Sequence, residues 1–387
     1  MSFGLLAVLV VAGLAGPLLA LRGHWALPVV LGELAAGVVL GPTLFDEVPV
    51  HDRTLTFLAD IGFALVMFVA GSQVPLGDVR LRRGLPTGAL RAILVGLVAV
   101  GLAIVVAMLF DTGHAPLYAV LMASSSAALV LPITQSLALG GASVLAVLSQ
   151  VAIADAACII ALPLAIDPGR AGRAALGALA VCACATALFV ILRYVERTGL
   201  RARVHRVSER REFALELRIQ LAVLFALAAL AVATHVSIML AGFSLGLAVA
   251  AIGPPRRLAR QLFAVSEGLF APLFFVWLGA SLDLRELGQH PSMILLGVVL
   301  AAAAVVAHAA AALTGMPISM AVLAAAQMGV PVAAATLGTQ LQLLRPGEAA
   351  ALLLGALLTI AAATVAARLT SARNIPPAAA PVPPSST

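Results

Sequence analysis

Residues 142–166 read ASVLAVLSQVAIADAACIIALPLAI. The run is long enough to cross a bilayer, which takes about 20 consecutive apolar residues, and it holds one carboxylate, Asp155, near its centre. An aspartate at the middle of a span costs roughly 2.5–3.5 kcal/mol on insertion scales. A neighbouring helix can satisfy such a group with no further role, but intramembrane acids usually mark ion or proton paths. Asp155 is therefore read as a site for a cation or a proton, and the rest of the chain as what surrounds it.

Hydrophobic residues make up 62% of the 387 and charged residues 10%. Such proportions belong to an all-α, polytopic membrane protein and exclude a soluble domain. All 23 basic residues are arginine. They sit in short loops between apolar runs, where topology accounts for them, so the net charge of +6 does not argue for nucleic acid. Cys158, Cys182 and Cys184 lie inside apolar runs without metal-ligand spacing and read as small buried hydrophobes. The sequence carries no nucleotide-binding loop, metal cluster or nucleophile–base pair, so neither an enzyme nor a cofactor is expected.

Apolar runs between Pro, Gly and charge punctuation predict thirteen transmembrane helices. They fall near 2–21, 26–44, 54–72, 87–110, 115–137, 142–166, 171–193, 213–233, 235–252, 262–281, 292–314, 316–338 and 347–369. The first run has no basic residue before it and Arg22 after it, the reverse of a signal peptide, so it counts as a span with its N-terminus outside. Alternating the loops between two faces puts 18 of the 23 arginines on one side. Short cytoplasmic loops hold the arginine excess, which predicts an odd number of spans with the C-terminus in the cytoplasm. The tail after Arg373, NIPPAAAPVPPSST, is Pro-rich and expected to be disordered, with no soluble regulatory domain after it.

An internal repeat is offset by a little over 200 residues. ALVMFVAGSQVPL (64–76) matches PLFFVWLGASLDL (272–284), and ELAAGVVLGP (33–42) matches FSLGLAVAAIGP (243–254). The ninth span comes seven spans after the second, an odd offset, so the copies insert with opposite topology, as in alternating-access transporters whose site lies at the repeat interface. Two spans at matching places are interrupted. MASSSAALVLPITQS (122–136) carries Ser124, Ser125, Ser126 and Pro132, and AAAQMGVPVAAATLG (324–338) carries Gln327, Gly329 and Pro331. Broken spans present free carbonyls and helix ends to an ion; the plainer reading of each serine is back-bonding to the preceding turn.

His308, alone among alanines in the eleventh span, is either a core histidine bonded to a backbone carbonyl or a titrating companion of Asp155. Glu33, in the second span, is a weaker candidate, since an acid between helices near the interface can be structural. Asp60 is expected as a helix N-terminal acid. His24, His51, His114, His205, His235 and His290 fall in loops or at span ends, where solvated or interfacial roles suffice.

These motifs together resemble the monovalent cation:proton antiporter superfamily, nearest its sodium/hydrogen exchanger-type membrane domain. The resemblance rests on LPVVLGELAAGVVLGP (27–42), ADIGFALVMFVAG (59–71), SSSAA (124–128), SQVAIADAACIIALPL (149–164) and FAPLFFVWLGASLDL (270–284), in the right order, and runs from about Leu5 to Leu369. It implies a six-helix core moving like an elevator against a dimerisation scaffold, with two crossed broken helices beside Asp155, and a homodimer. On this chain that gives scaffold helices in 1–85, core helices in 86–166, and a linker helix with a basic loop in 167–212. Further scaffold follows in 213–286, further core in 287–370, and the tail in 371–387. The sequence departs from the family at the acid pair of the sixth span, where Ala154 precedes Asp155, and His308 stands where a lysine is common. Met328-Gly329-Val330 replaces the usual charged pattern of the twelfth span, and Gln73 stands where an acid is common.

The resemblance thus implies an antiporter in the plasma membrane that exchanges a monovalent cation, Na+ or K+, for H+, with Asp155, Ser125 and Ser126 as the binding group. A sodium-coupled organic solute transporter on the same fold stays open, as does a non-transporting membrane scaffold or sensor. A potassium channel is disfavoured by the lack of a Gly-Tyr-Gly run.

Overall fold

The computed structural model describes residues 1–21, 29–50, 52–74, 79–137, 139, 142–167, 169, 171–198, 213–234, 236–253, 256–282 and 284–374. His24, His51, His205, His235, most of the basic loop before the eighth span and the tail from 375 lie outside these residues. All regular structure among them is helical. The first half comprises α1 (Phe3–Gly13), α2 (Ala15–Leu21), α3 (Val29–Leu40), α4 (Arg53–Ser72), α5 (Val79–Leu109), α6 (Ala115–Ala123), α7 (Ala127–Ser136), α8 (Ala142–Ile166) and α9 (Ala171–Arg197). The second half opens with α10 (Leu215–Ala233), α11 (Ile238–Ala250) and α12 (Arg256–Val265), which passes through a π-helical turn, Ser266–Phe270, into α13 (Ala271–Ala280). It closes with α14 (Leu284–Gln289), α15 (Pro291–Ala309), α16 (Ile318–Leu323), α17 (Gly329–Gln340) and α18 (Glu348–Asn374).

Among the described residues, nine helical segments have the length and apolarity to cross a membrane. Three shorter apolar helices, Val29–Leu40, Ala115–Leu131 and Ile238–Ala250, add to them, and α16 with α17 forms one more interrupted segment. Together these account for the thirteen expected segments. Two fall short of a continuous span for a physical reason: their helices stop and restart inside the apolar run.

Helix packing sorts into two groups. In one, α4 lies on α11 and α3 lies on α13, with α1 and α2 against the latter pair. Both crossings depend on glycine. A Cβ on Gly279 would overlap the Leu34 carbonyl, and one on Gly37 the Val276 carbonyl. Likewise, one on Gly71 would overlap the Phe243 carbonyl and one on Gly246 the Phe68 carbonyl. In a bilayer, where lipid is as apolar as leucine, such close backbone approach is what holds helices together. Gly71 and Gly279 occupy the same place in the two repeat copies, as do Gly37 and Gly246. Each copy therefore completes its crossing with a helix from the other.

In the second group α5 packs on α6 and α8, α15 on α18, and α6 on both α8 and α15. Glu348, the first residue of α18, ties the two halves of this group. It is fully buried; one of its oxygens, Oε1, lies 2.7 Å from His114 Nδ1 and accepts from the Tyr118 hydroxyl at 2.7 Å. The other accepts from the Arg345 N–H at 2.9 Å. His114, 24% exposed at the start of α6, keeps the span-end place expected of it, and its buried carboxylate partner is what the sequence did not announce.

At the start of α4, Asp52 is the N-cap and accepts from the Leu55 N–H at 2.9 Å. Asp60 lies two turns further on, so it is not the N-terminal acid it was expected to be. The Leu55 amide holds the Asp52 carboxyl below its ordinary range. A depressed carboxylate stabilises the fold above its unfolded pKa, and that contribution is lost as pH falls through the lowered value.

Gly279→Leu should cost about 3 kcal/mol or more, since backbone rather than a movable side chain fills the space. A melting temperature in detergent equal to wild type would contradict the close crossing. Glu348→Ala should cost about 2 kcal/mol by leaving the buried Tyr118 hydroxyl unpaired, while Glu348→Gln, which retains an acceptor, melts closer to wild type. Equal melting of both variants would show that the buried acceptor is dispensable.

Candidate ion-binding site

The site is built from two helix interruptions. In the first, Ser124 takes an extended conformation at the end of α6, and both its N–H and its hydroxyl bond to the Leu121 carbonyl. Serine competes for its own backbone in this way and so stops the helix. The chain restarts at Ala127, where the first amides of α7 have no partner within the helix. The Ala127 N–H donates to Asp155 Oδ2 at 3.1 Å. The positive end of a half-helix thereby meets the one carboxylate of α8.

In the second interruption α16 ends at Leu323, with Ala324 as its C-cap, and α17 begins at Gly329. Pro331 falls in the first turn of α17, where a missing N–H costs nothing. The two breaks meet through Ser125. Its hydroxyl donates to the Ala324 carbonyl at 2.7 Å and lies 3.1 Å from His308 Nε2. His308 Nδ1 lies in turn 3.0 Å from the Ala304 carbonyl. Ser125 has one hydrogen for two neighbours. Given to Ala324, it leaves Nε2 to act as donor; given to Nε2, it leaves the carbonyl free.

Ser124, Ser125, Ser126, Asp155, His308 and Gln327 are all buried. Asp155 and the serine break come together, and so do Ser125, the second break and His308. No hydrogen bond joins Asp155 to His308 among the described residues. Pro132 lies inside α7 rather than in the break, which falls at the three serines. Glu33 is buried against Gly16 in the other helix group and takes no part here. Sequence reading missed the Ala127 amide and the Ala324 carbonyl, which are backbone atoms. It also missed Gln150, fully buried on α8 with neither amide atom hydrogen-bonded among the described residues. An amide inside a transmembrane run was the signal available for Gln150.

Among the described residues no three His, Cys, Asp or Glu side chains converge as a metal centre. The donors at the breaks are oxygens, which suit hard cations. A narrow crevice reaches Ala127 between α4, α7 and α8, bordered by Gln73, Val74, Leu131 and Ala152.

Comparison with known proteins agrees with this architecture. The chain is 30% identical over 304 residues to the glutathione-regulated potassium-efflux system protein KefC of Enterobacter sp. (strain 638), covering 76% of this chain and 48% of that protein. It is 24% identical over 306 residues to the putative Na(+)/H(+) antiporter YjbQ of Bacillus subtilis (strain 168), covering 76% and 49%. It spans about half the length of these curated relatives. The solved sodium proton antiporter MjNhaP1 of Methanocaldococcus jannaschii, at pH 8, has the same fold, with a TM-score of 0.63 over 95% of this chain and 96% of that one at 15% identity. A family model described as "Sodium/hydrogen exchanger, transmembrane" matches residues 5–373, and the chain belongs to that family of multi-pass membrane proteins.

Proposed function

We propose that this chain exchanges a monovalent cation, Na+ or K+, for H+ across the plasma membrane, with Asp155 as the shared site. The observation that carries the reading is the Asp155 carboxylate, buried midway along an apolar helix and held by the free amide at the start of α7. A carboxylate so placed is neutralised by a proton or by a cation. An empty, charged site is costly to carry through a low-dielectric interior, whereas either loaded form is neutral. That asymmetry is what couples the two fluxes. The hydroxyls of Ser125 and Ser126 and the carbonyls at the breaks complete the cation's oxygen shell, and the stretch from Gln327 to Pro331 supplies a helix end from the other side.

The movement is an elevator-type alternating access. The core comprises the helices of 86–166 and 287–370, and it slides against a scaffold from 1–85 and 213–286 that holds a homodimer together. Residues 167–212 link the two, the N-terminus lies outside and the C-terminus in the cytoplasm. The names of the relatives pair one with potassium and the other with sodium, so both ions are candidates. A membrane scaffold or sensor is the competing reading, favoured by Ala154 in place of the usual polar neighbour of the acid.

Purified protein in proteoliposomes should release protons when Na+, Li+, K+ or Rb+ is added, and Asp155→Asn should abolish the flux for every ion. Full activity in that variant would sink the assignment, and no flux with any cation in wild type would favour the sensor. With Asp155 as sole proton carrier, exchange is one for one and its rate is indifferent to an imposed membrane potential. A rate that follows the potential would instead mean that a second proton, from His308, crosses with the first.

A further inference from the structure

The C-terminal ends of α4 and α11 and the face of α12 enclose a cavity of about 350 Å3. Its walls are apolar, with Phe68 of α4, Val249 of α11 and Phe263 of α12 among them, and its polar groups are Ser72, Gln73 and Arg260. Among the described residues no carboxylate lines it. Arg260 makes no ion pair among the described residues, and Phe263 is largely exposed. The helix that supplies Arg260 opens RRLAR, with three arginines in five residues. The cavity therefore sits at the arginine-rich end of the helices, where a half-open apolar chamber carries the Arg260 guanidinium at its rim, with no ion-pair partner among the described residues.

We infer that this cavity is a binding site for an anionic phospholipid. One acyl chain fills the space between Phe68, Val249 and Phe263, and the headgroup phosphate pairs with Arg260 while Gln73 offers amide hydrogens beside it. Charge complementarity selects the occupant. A neutral lipid leaves the guanidinium without a counter-charge, and a small anion leaves the apolar walls uncovered. Basic pockets between transmembrane helices on the cytoplasmic side recognise anionic headgroups on these terms. Gln73 borders both this cavity and the crevice that reaches Ala127, so the lipid lies one side chain away from the residue whose amide bonds to Asp155.

The test is native mass spectrometry of the full chain in detergent with equal amounts of dioleoyl phosphatidylglycerol and dioleoyl phosphatidylcholine. Wild type should retain phosphatidylglycerol in preference. Arg260→Gln should weaken that adduct by about fivefold, the effect of one basic residue near an anionic surface, and Arg260→Lys should restore it. Ala259→Trp, at an exposed position that also lines the cavity, should remove the adduct with Arg260 still in place. Undiminished phosphatidylglycerol binding in Arg260→Gln or in Ala259→Trp would overturn the assignment. So would displacement of the lipid by an equal concentration of glycerol 3-phosphate, which would identify a soluble anion as the occupant. The readout is lipid mass rather than ion flux, so its outcome stands apart from the role given to Asp155.

Discussion

The bond from the Ala127 amide to the Asp155 carboxylate is the constraint around which the membrane interior is arranged. A carboxylate inside a bilayer needs a donor, and a continuous helix has none to offer, because each amide beyond the first turn is already bonded four residues back. Only a helix that begins inside the membrane presents a free N–H at that depth. Ser124 makes such a beginning possible, since its hydroxyl and extended backbone end α6 while still bonding the Leu121 carbonyl. Ser125 then takes up the carbonyl left over at the end of α16. The second break is in this sense the complement of the first: one supplies an unpaired donor to a carboxylate, the other an unpaired acceptor to a hydroxyl.

Two kinds of glue hold the surroundings in place, and neither is the burial of apolar surface that builds a soluble core. Around α3, α4, α11 and α13 the helices touch backbone to backbone through glycines. Around α6 and α18 a buried glutamate collects a histidine, a tyrosine hydroxyl and a main-chain amide. Hydroxyls elsewhere along the helices, such as Thr359 and Thr364, turn back onto their own carbonyls. They are satisfied locally and leave the polar chemistry concentrated at the breaks.

Much of this was legible in the sequence. Apolar run lengths, the repeat, both interruptions, Asp155, Ser125 and His308 could be read because hydropathy and punctuation are strong signals in membrane segments. What could not be read is instructive. Proline is the residue that draws the eye in a span, yet Pro132 sits within α7 and the serines make the break. The groups that bind Asp155 and Ser125 are an amide and a carbonyl, which every residue has, so no letter announces them. The partner of His114 could not be read because it lies 234 residues away, and separation of that order leaves no local trace. Asp60 was placed at a helix start because the true cap, Asp52, stands just outside the apolar run.

The exchanged glycine crossings also govern the order in which this protein can be assembled. Gly37 and Gly71 lie in the first half of the chain, and the backbones they fit belong to α13 and α11. While the first half is being synthesised and inserted, these two notches lack the backbones that fill them, although α3 already has α2 against it, with Gly16 and Gly32 in close contact. Those two crossings can close only once α11 and α13 have been made, so they are long-range contacts whose formation waits on the second half of the chain.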